Sequence, residues 1–141
     1  MMLTVETEQF IAKPPSEVFE AWADPSQMSK YFITASTGRM EQGATLTWRW
    51  ADFGDASASV KVLEAEAGKR LKFIWGGGGI ESTVEAIFEA KDLGTRVLVR
   101  EGEWDGDANG IKRYGGQMQG WVNMLLCLKA FLIFGIDLRR V

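Results

Sequence analysis

The residue best suited to chemistry is a glutamate that ends an alternating apolar strand. Val97, Val99 and Glu101 are spaced two residues apart, so in a β-strand their side chains share one face. The pattern predicts a carboxylate partly removed from water, which makes Glu101 a candidate acid, base or ligand anchor. A rim residue in water or a salt-bridge partner would show the same pattern. Glu101 is the one candidate for catalysis.

The 141 residues include no histidine, and this restricts the available chemistry. Ser-His-Asp and Cys-His catalytic groups are excluded, together with every histidine-ligated metal site. The single cysteine, Cys127, lies in an apolar stretch and is predicted to be a small core residue. We expect neither a metal nor a cofactor.

Two glycine-containing loops resemble ligand-binding motifs without their defining residues. The segment "DGDANG" (105–110) matches the start of a calcium loop, but Gly116 stands where the loop needs a glutamate. A helix cap is the better interpretation of this segment. The run "GGGG" (76–79) follows a strand, as a phosphate loop does, but a strand rather than a helix follows it. It is predicted to be a hairpin tip near a cavity mouth.

Composition and charge exclude several classes of protein. The net charge is -3 and no run of lysine or arginine occurs, which disfavours nucleic-acid binding. The N-terminus lacks the features of a signal peptide. The apolar stretch "MLLCLKAFLIF" is interrupted by Lys129 and is read as too short and too charged to span a bilayer. We therefore expect one cytoplasmic domain over residues 1–141, without stable membrane insertion.

The N-terminal part of the chain predicts one strand and two short helices. Residues 3–12 are rich in Thr, Val, Ile and Phe, as β-strands are. Residues 13–24 form the first predicted helix. Asp24 and the following proline end it and begin the second, with Asp24 as the N-cap.

The middle of the chain predicts a meander of antiparallel strands, and the end predicts one long helix. Short turns separate the predicted strands. These strands cover residues 37–41, 44–51, 57–66, 70–76, 82–90 and 95–103. The helix ends at Gly135, and Gly115, Gly116 and Gly120 within it are expected to leave open volume. Its apolar stripe contains Trp121, Met124, Leu125, Leu128, Phe131 and Leu132.

This order of elements predicts an α+β fold. A curved antiparallel sheet of about six to seven strands would wrap around the long C-terminal helix, with two short helices after the first strand. Such a sheet need not close onto its helix, so a cavity can remain between them.

Three segments in this order resemble the START-like (SRPBCC) helix-grip superfamily. They are "AKPPSEVFEAWADPSQMSKYF" (12–32), "STVEAIFEAKDLGTRVLVREG" (82–102) and "GGQMQGWVNMLLCLKAFL" (115–132). Within the superfamily, the sequence is similar to the family of activator of heat-shock protein 90 ATPase homologues. The resemblance implies a deep apolar cavity between sheet and helix. It also implies relatives that bind lipids, sterols or polyketides, or that cyclise aromatic polyketides.

The inward-facing positions are rich in tryptophan, phenylalanine and methionine. In "TLTWRW" (45–50), alternation places Trp48 and Trp50 on one face and Arg49 on the other. A packed core is the simpler interpretation, and a cavity that binds an apolar or aromatic molecule is the alternative that the resemblance favours. The predicted ligand-binding residues are Trp22, Met28, Phe32, Met40, Trp48, Trp50, Phe73, Trp75, Phe88, Val99, Glu101, Met118, Trp121, Met124 and Leu125.

Three functions follow as hypotheses. The first is non-catalytic binding of a hydrophobic or aromatic small molecule, lipid- or polyketide-like. The second is a cyclase- or hydrolase-type enzyme with Glu101 as acid or base, which the lack of a nucleophile–base pair disfavours. The third is a module that contacts a chaperone or a second copy of the chain. It predicts an apolar outer sheet face, yet the assigned outward residues are mostly polar: Thr45, Thr47, Arg49, Lys72, Glu85, Arg96 and Arg100.

Overall fold

The computed structural model describes residues 1–77 and 80–141 and shows seven strands and three α-helices in this part of the chain. The helices are α1 (Pro15–Ala23), α2 (Pro25–Met28) and α3 (Ala108–Phe134). The strands are β1 (Met2–Ile11), β2 (Ala35–Ser36), β3 (Thr45–Trp50), β4 (Ala56–Glu66), β5 (Arg70–Gly77), β6 (Ile80–Lys91) and β7 (Gly94–Asp105). Short 3-10 turns cover Ala51–Phe53 and Leu138–Arg140.

The strands form one antiparallel sheet in the order β1-β7-β6-β5-β4-β3-β2. Its inner face packs against α1 and α3, and α3 lies along β1. The predicted α+β helix-grip fold is confirmed. The outward positions assigned from the alternation are exposed or half-exposed, as predicted, and their side chains are polar.

The prediction of a strand over 37–41 is wrong. The structure has a two-residue strand, β2, just before this range. The chain then leaves the sheet because Met40 is buried and its backbone N–H donates to the Ala23 carbonyl at 3.1 Å. Arg39 is tied to the same helix by two hydrogen bonds to Glu20, at 2.5 and 2.7 Å. These contacts join residues far apart in sequence, so local alternation could not show them.

Helices α2 and α3 begin, and α3 ends, at residues that the sequence predicts as caps. The Asp24 carboxylate accepts the Ser26 backbone N–H at 2.9 Å, and the Asp107 carboxylate accepts the Gly110 N–H at 2.7 Å. The segment 105–110 is therefore the N-terminal cap of α3, as predicted. Gly135 ends α3 with φ of +66°, a conformation that glycine adopts without a Cβ penalty. The glycine run at 76–79 lies partly outside the described residues.

The long helix α3 differs from expectation in one respect. By length and composition alone it is apolar enough to cross a membrane, so the reading of its apolar stretch as too short and too charged is wrong. A core helix passes the same test, and about a third of the apolar window of α3 is buried in the domain. Trp121, Met124, Leu125 and Leu128 are buried against the sheet.

Candidate functional site

Glu101 lies on the inner face of β7, is 1% exposed, and accepts four side-chain hydrogen bonds. Its Oε2 accepts the Trp75 indole N–H at 2.6 Å and the Ser82 hydroxyl. Its Oε1 accepts the Gln117 amide N–H and the Trp121 indole N–H, each at 2.8 Å. We call these five residues the Glu101 cluster. Every donor in it is uncharged.

Sheet register and helix spacing bring the cluster together. Trp75 on β5 is directly opposite Ser82 on β6, and both share the inner face with Glu101 one strand further on. Gln117 and Trp121 are four residues apart on α3, so they lie one turn apart on the same side of the helix. The cluster therefore joins three strands to the long helix.

The geometry limits what the carboxylate can do. A carboxylate offers about four lone-pair sites, and four donors occupy those of Glu101. No lysine or arginine of the described chain forms an ion pair with it. Glu101 thus fixes two indoles and one amide in position, and its oxygens are already engaged.

Two adjoining cavities of about 400 and 440 Å³ lie beside the cluster, between α3 and the inner side of β3 to β5. Phe32, Trp50 and Phe53 line both. The first is also lined by Ala56, Ala58, Trp75, Gly76, Ile80, Arg113 and Gln117. The second is also lined by Tyr31, Gly120, Asn123, Met124, Leu126, Cys127, Leu138 and Arg139. We call this pair of cavities the aromatic groove.

A small space of about 70 Å³ connects the groove to the Glu101 cluster. Its lining includes Trp75, Gln117 and Trp121, the side chains that donate to Glu101. Their outer sides form groove wall while their N–H groups point to the carboxylate. Glu101 itself lines neither of the two larger cavities. Glu101 lies behind these side chains and fixes their orientation through its hydrogen bonds.

The structure divides the predicted ligand-binding residues into two sets. The groove is lined by Phe32, Trp50, Trp75 and Met124, and Trp121 lines the small space beside it. The remaining apolar residues belong to the core or pack on it: Trp22, Met28, Met40, Trp48, Phe73, Phe88, Val99, Met118 and Leu125. Alternation gave the correct face for Trp48 and Trp50, yet Trp48 is fully buried and Trp50 is half-buried at the groove.

Several groove residues were missed from the sequence. Arg113, Gln117 and Trp121 are spaced four residues apart on α3, so helical periodicity could have placed the first two beside Trp121. Gly120 was expected to leave open volume, and a Cβ built there meets no atom within 4 Å. Phe53, in the turn after β3, has no periodic signal.

The aromatic rings meet mainly edge to face. Trp48 contacts Trp50 and Trp75 with centroids 6.3 and 5.8 Å apart, and Trp75 meets Trp121 at 5.3 Å. Phe32 contacts both Trp50 and Trp121. Edge-to-face pairs are favourable and leave ring faces for other partners. The wall of the groove is thus a connected aromatic surface.

Two ionisable side chains of the second cavity stay neutral near pH 7. Burial raises the pKa of the Tyr31 hydroxyl well above its usual range, and that hydroxyl donates to the Ala21 carbonyl at 2.9 Å. Burial also raises the pKa of the Cys127 thiol, despite the opposing charge of Arg139. Neither a phenolate nor a thiolate nucleophile is therefore available here. Residues 1–77 and 80–141 hold no cluster of metal-ligating side chains.

Solved structures share this fold over nearly the whole chain. Protein SSP2350 from Staphylococcus saprophyticus is 31% identical, with a TM-score of 0.84 over 97% of this chain and 96% of that one. DynU16, described as a putative protein in the dynemicin biosynthetic locus, is 24% identical, with a TM-score of 0.83 over 95% of this chain and 48% of that one. The Aha1 dimer from Colwellia psychrerythraea is 17% identical, with a TM-score of 0.82 over 94% and 98%.

No curated protein matches the sequence significantly. One family does match, over residues 12–132, and its description is "Activator of Hsp90 ATPase homolog 1-like protein". The match includes α1, α2, the six strands from β2 to β7, and most of α3. The chain belongs to the family of Activator of Hsp90 ATPase homolog 1-like proteins.

Proposed function

We propose that the protein binds a hydrophobic or aromatic small molecule in the aromatic groove and does not transform it. The observation that carries this proposal is the pair of adjoining cavities, each of about 400 Å³ or more, that share Phe32, Trp50 and Phe53. Pockets of this volume with mostly apolar walls and few polar groups are typical of small-molecule sites. The proposal includes a cytoplasmic location.

Two further observations support a small-molecule role. Trp50 and Phe53 are partly exposed at the groove although both are large and apolar, which is costly unless something covers them. The structurally similar DynU16 belongs to a biosynthetic locus, a setting in which small molecules are handled. A lipid- or polyketide-like ligand suits such walls.

Catalysis by Glu101 is the less favoured alternative. A general acid or base must reach the proton that it transfers, at about 2.6–3.2 Å. The wall residues Trp75, Gln117 and Trp121 lie between Glu101 and the cavities and already bond to its oxygens. A reacting group would have to displace one of these donors first.

Gly120 provides the test of binding. A Gly120→Phe substitution meets no backbone obstacle and places a ring in the second cavity. Gly115→Phe is the matched control, because Gly115 is an exposed glycine of the same helix, also without atoms near its Cβ, on the side away from the groove. Binding is measured by quenching of tryptophan fluorescence with fatty acids, sterols and flat aromatic compounds, alongside native mass spectrometry of the purified protein.

We expect Gly120→Phe to weaken binding at least about tenfold and Gly115→Phe to change it less than about twofold. Equal effects of the two variants would show that ligands bind elsewhere. If no class of compound quenches the wild-type fluorescence and none co-purifies, the binding function is wrong.

An exposed apolar strip on α3 favours a second candidate, self-association. Val122 and Leu126 are 39% and 40% exposed, and their spacing of four residues places them side by side on the helix. The similar Aha1 protein from Colwellia psychrerythraea is described as a dimer. If this strip joins two copies, Val122→Glu converts a dimer to a monomer in analytical ultracentrifugation. A wild-type monomer at about 100 μM would exclude it.

A further inference from the structure

Arg113 is an arginine without an acidic partner in the wall of an apolar groove. Six of the eight arginines form ion pairs within the described chain: Arg39, Arg70, Arg96, Arg100, Arg139 and Arg140. Arg49 has none but is exposed to water. Arg113 is half-buried, and no carboxylate of residues 1–77 or 80–141 pairs with it. A half-buried cation without a counter-charge in an apolar wall requires an explanation.

The guanidinium of Arg113 is held in place but short of hydrogen-bond acceptors. Its central carbon lies 5.4 Å from the centre of the Trp104 ring, a cation–π contact that fixes the side chain. Its Nε is shielded from solvent and has no acceptor, and the same is true of the Trp104 Nε1 beside it. Buried donors in native proteins are nearly always paired, so this corner of the groove is suited to an added acceptor.

The rest of the groove strengthens the positive character of this corner. No aspartate or glutamate of residues 1–77 or 80–141 lines either cavity, although the whole protein carries a net charge of -3. The other groove arginine, Arg139, already has a counter-charge: it bonds Asp137 and the carbonyl oxygens of Ser29 and Ile33. The two ends of the groove therefore differ, since a cation is free to bind an anion only at the Arg113 end.

We infer that the natural ligand is an apolar anion. Its negatively charged group, such as a carboxylate, binds Arg113 in the first cavity, and its apolar body lies along Trp50, Phe32 and Phe53 into the second. This inference rests on the proposed binding function and adds the charge and the orientation of the ligand. Arginine suits the task because its planar fork can bind a carboxylate through two parallel hydrogen bonds.

A pair of probes with the same aromatic body separates charge from hydrophobicity. 8-Anilinonaphthalene-1-sulfonate is anionic, and N-phenyl-1-naphthylamine is its neutral counterpart. Both are titrated into wild-type protein and into Arg113→Met, which keeps an apolar stem of similar length over Trp104. Arg49→Met is the control, because it removes an equal charge from the outer sheet face.

We expect Arg113→Met to weaken binding of the anionic probe about 10- to 100-fold and that of the neutral probe less than about threefold. Arg49→Met should change neither by more than about twofold, and Arg113→Lys should recover part of the anionic binding. In the wild type, 2-naphthoate should displace the anionic probe at lower concentration than its amide does, which excludes an effect peculiar to sulfonates.

Three results would overturn the inference. If Arg113→Met weakens both probes equally, the side chain only shapes the cavity. If it weakens neither, while Gly120→Phe still blocks the neutral probe, the binding function stands and the anionic ligand is wrong. If wild-type protein binds neither probe, the inference is wrong, and the binding function fails with it only when fatty acids, sterols and flat aromatic compounds also give no quenching. Should Arg113→Met not fold, equal displacement by 2-naphthoate and its amide in the wild type decides against the inference.

Discussion

Replacement of Glu101 by glutamine tests whether a charged carboxylate holds the groove wall. Glu101→Gln keeps the size of the side chain and replaces one oxygen by an NH₂ group. Two of the four donors would then face another donor, because each carboxylate oxygen accepts two hydrogen bonds. The substitution therefore removes the charge and reverses half of the hydrogen bonding at a site that is 1% exposed.

The magnitude follows from the number of bonds and from the charge. A hydrogen bond to a charged group contributes about 1.5–3 kcal/mol to stability, and two such bonds are lost. Relief of the desolvation cost of the buried charge offsets part of this loss. We expect a net loss of about 2–4 kcal/mol in the free energy of unfolding. For a domain of this size the melting temperature should fall by about 6–12 °C.

Chemical denaturation with two optical readouts measures the effect. Far-ultraviolet circular dichroism gives the free energy of unfolding. Near-ultraviolet circular dichroism reports on the surroundings of all six tryptophans, among them Trp75 and Trp121, whose indole N–H groups both bond to the carboxylate. Glu103→Gln is the matched control, because Glu103 is an exposed glutamate two residues away on the same strand. Its stability should change by less than about 0.5 kcal/mol.

Unchanged stability of Glu101→Gln would refute this account of the cluster. An unchanged near-ultraviolet spectrum with lowered stability would show that the indoles are held by packing alone. Glu101→Leu gives a second check, because it leaves all four donors without an acceptor and should be more destabilising than glutamine. The reverse order would mean that the desolvation cost of the carboxylate exceeds the value of its hydrogen bonds.

Three further predictions concern the helices and the second cavity. Asp24→Ala should lower the free energy of unfolding by about 1 kcal/mol through loss of a helix cap. Hydrogen bonds from the Ser26 side chain and backbone lower the pKa of Asp24. The difference in unfolding free energy from wild type, measured by urea denaturation, should therefore be constant above about pH 5 and shrink as pH falls below about 4. Gly110→Ala should unfold the start of α3, since its Cβ would lie 1.7 Å from a backbone oxygen. Gly115→Ala meets no such obstacle and should stabilise the protein by about 1 kcal/mol. Thermal unfolding of the two variants measures the difference. Cys127, with its raised pKa, should react slowly with iodoacetamide near pH 8, and a bound ligand should slow the alkylation further, as mass spectrometry would show.

Periodicity predicted the elements well because the main strands and α3 are long and regular. The alternation of Trp48 and Trp50 gave the correct face of β3, and Asp24, Asp107 and Gly135 marked helix ends through their own backbone chemistry. The segment 37–41 was predicted incorrectly because its course depends on a contact with α1 rather than on its own residues.

The site was harder to predict than the fold, for a physical reason. Alternation shows which face a side chain occupies but not how deep it lies, so Trp48 in the core and Trp50 at the groove look alike in sequence. Glu101 was correctly placed inward, but its four donors come from β5, β6 and α3. Their meeting depends on the strand register and on the rotation of the helix, and neither is encoded in any one segment.

The Glu101 cluster also explains why the groove stays open. A purely apolar helix would settle onto the sheet, because empty space beside apolar side chains is costly. Here the helix cannot move freely, because Gln117 and Trp121 each donate a 2.8 Å hydrogen bond to Glu101. These two side chains are the donors that α3 supplies to the buried carboxylate, and movement of the helix would break both bonds. Beyond this fixed point Gly120 has no side chain to fill the space. The hydrogen bonds to Glu101, together with Gly120, thus keep one turn of α3 apart from Trp50, and the cavity lies between them.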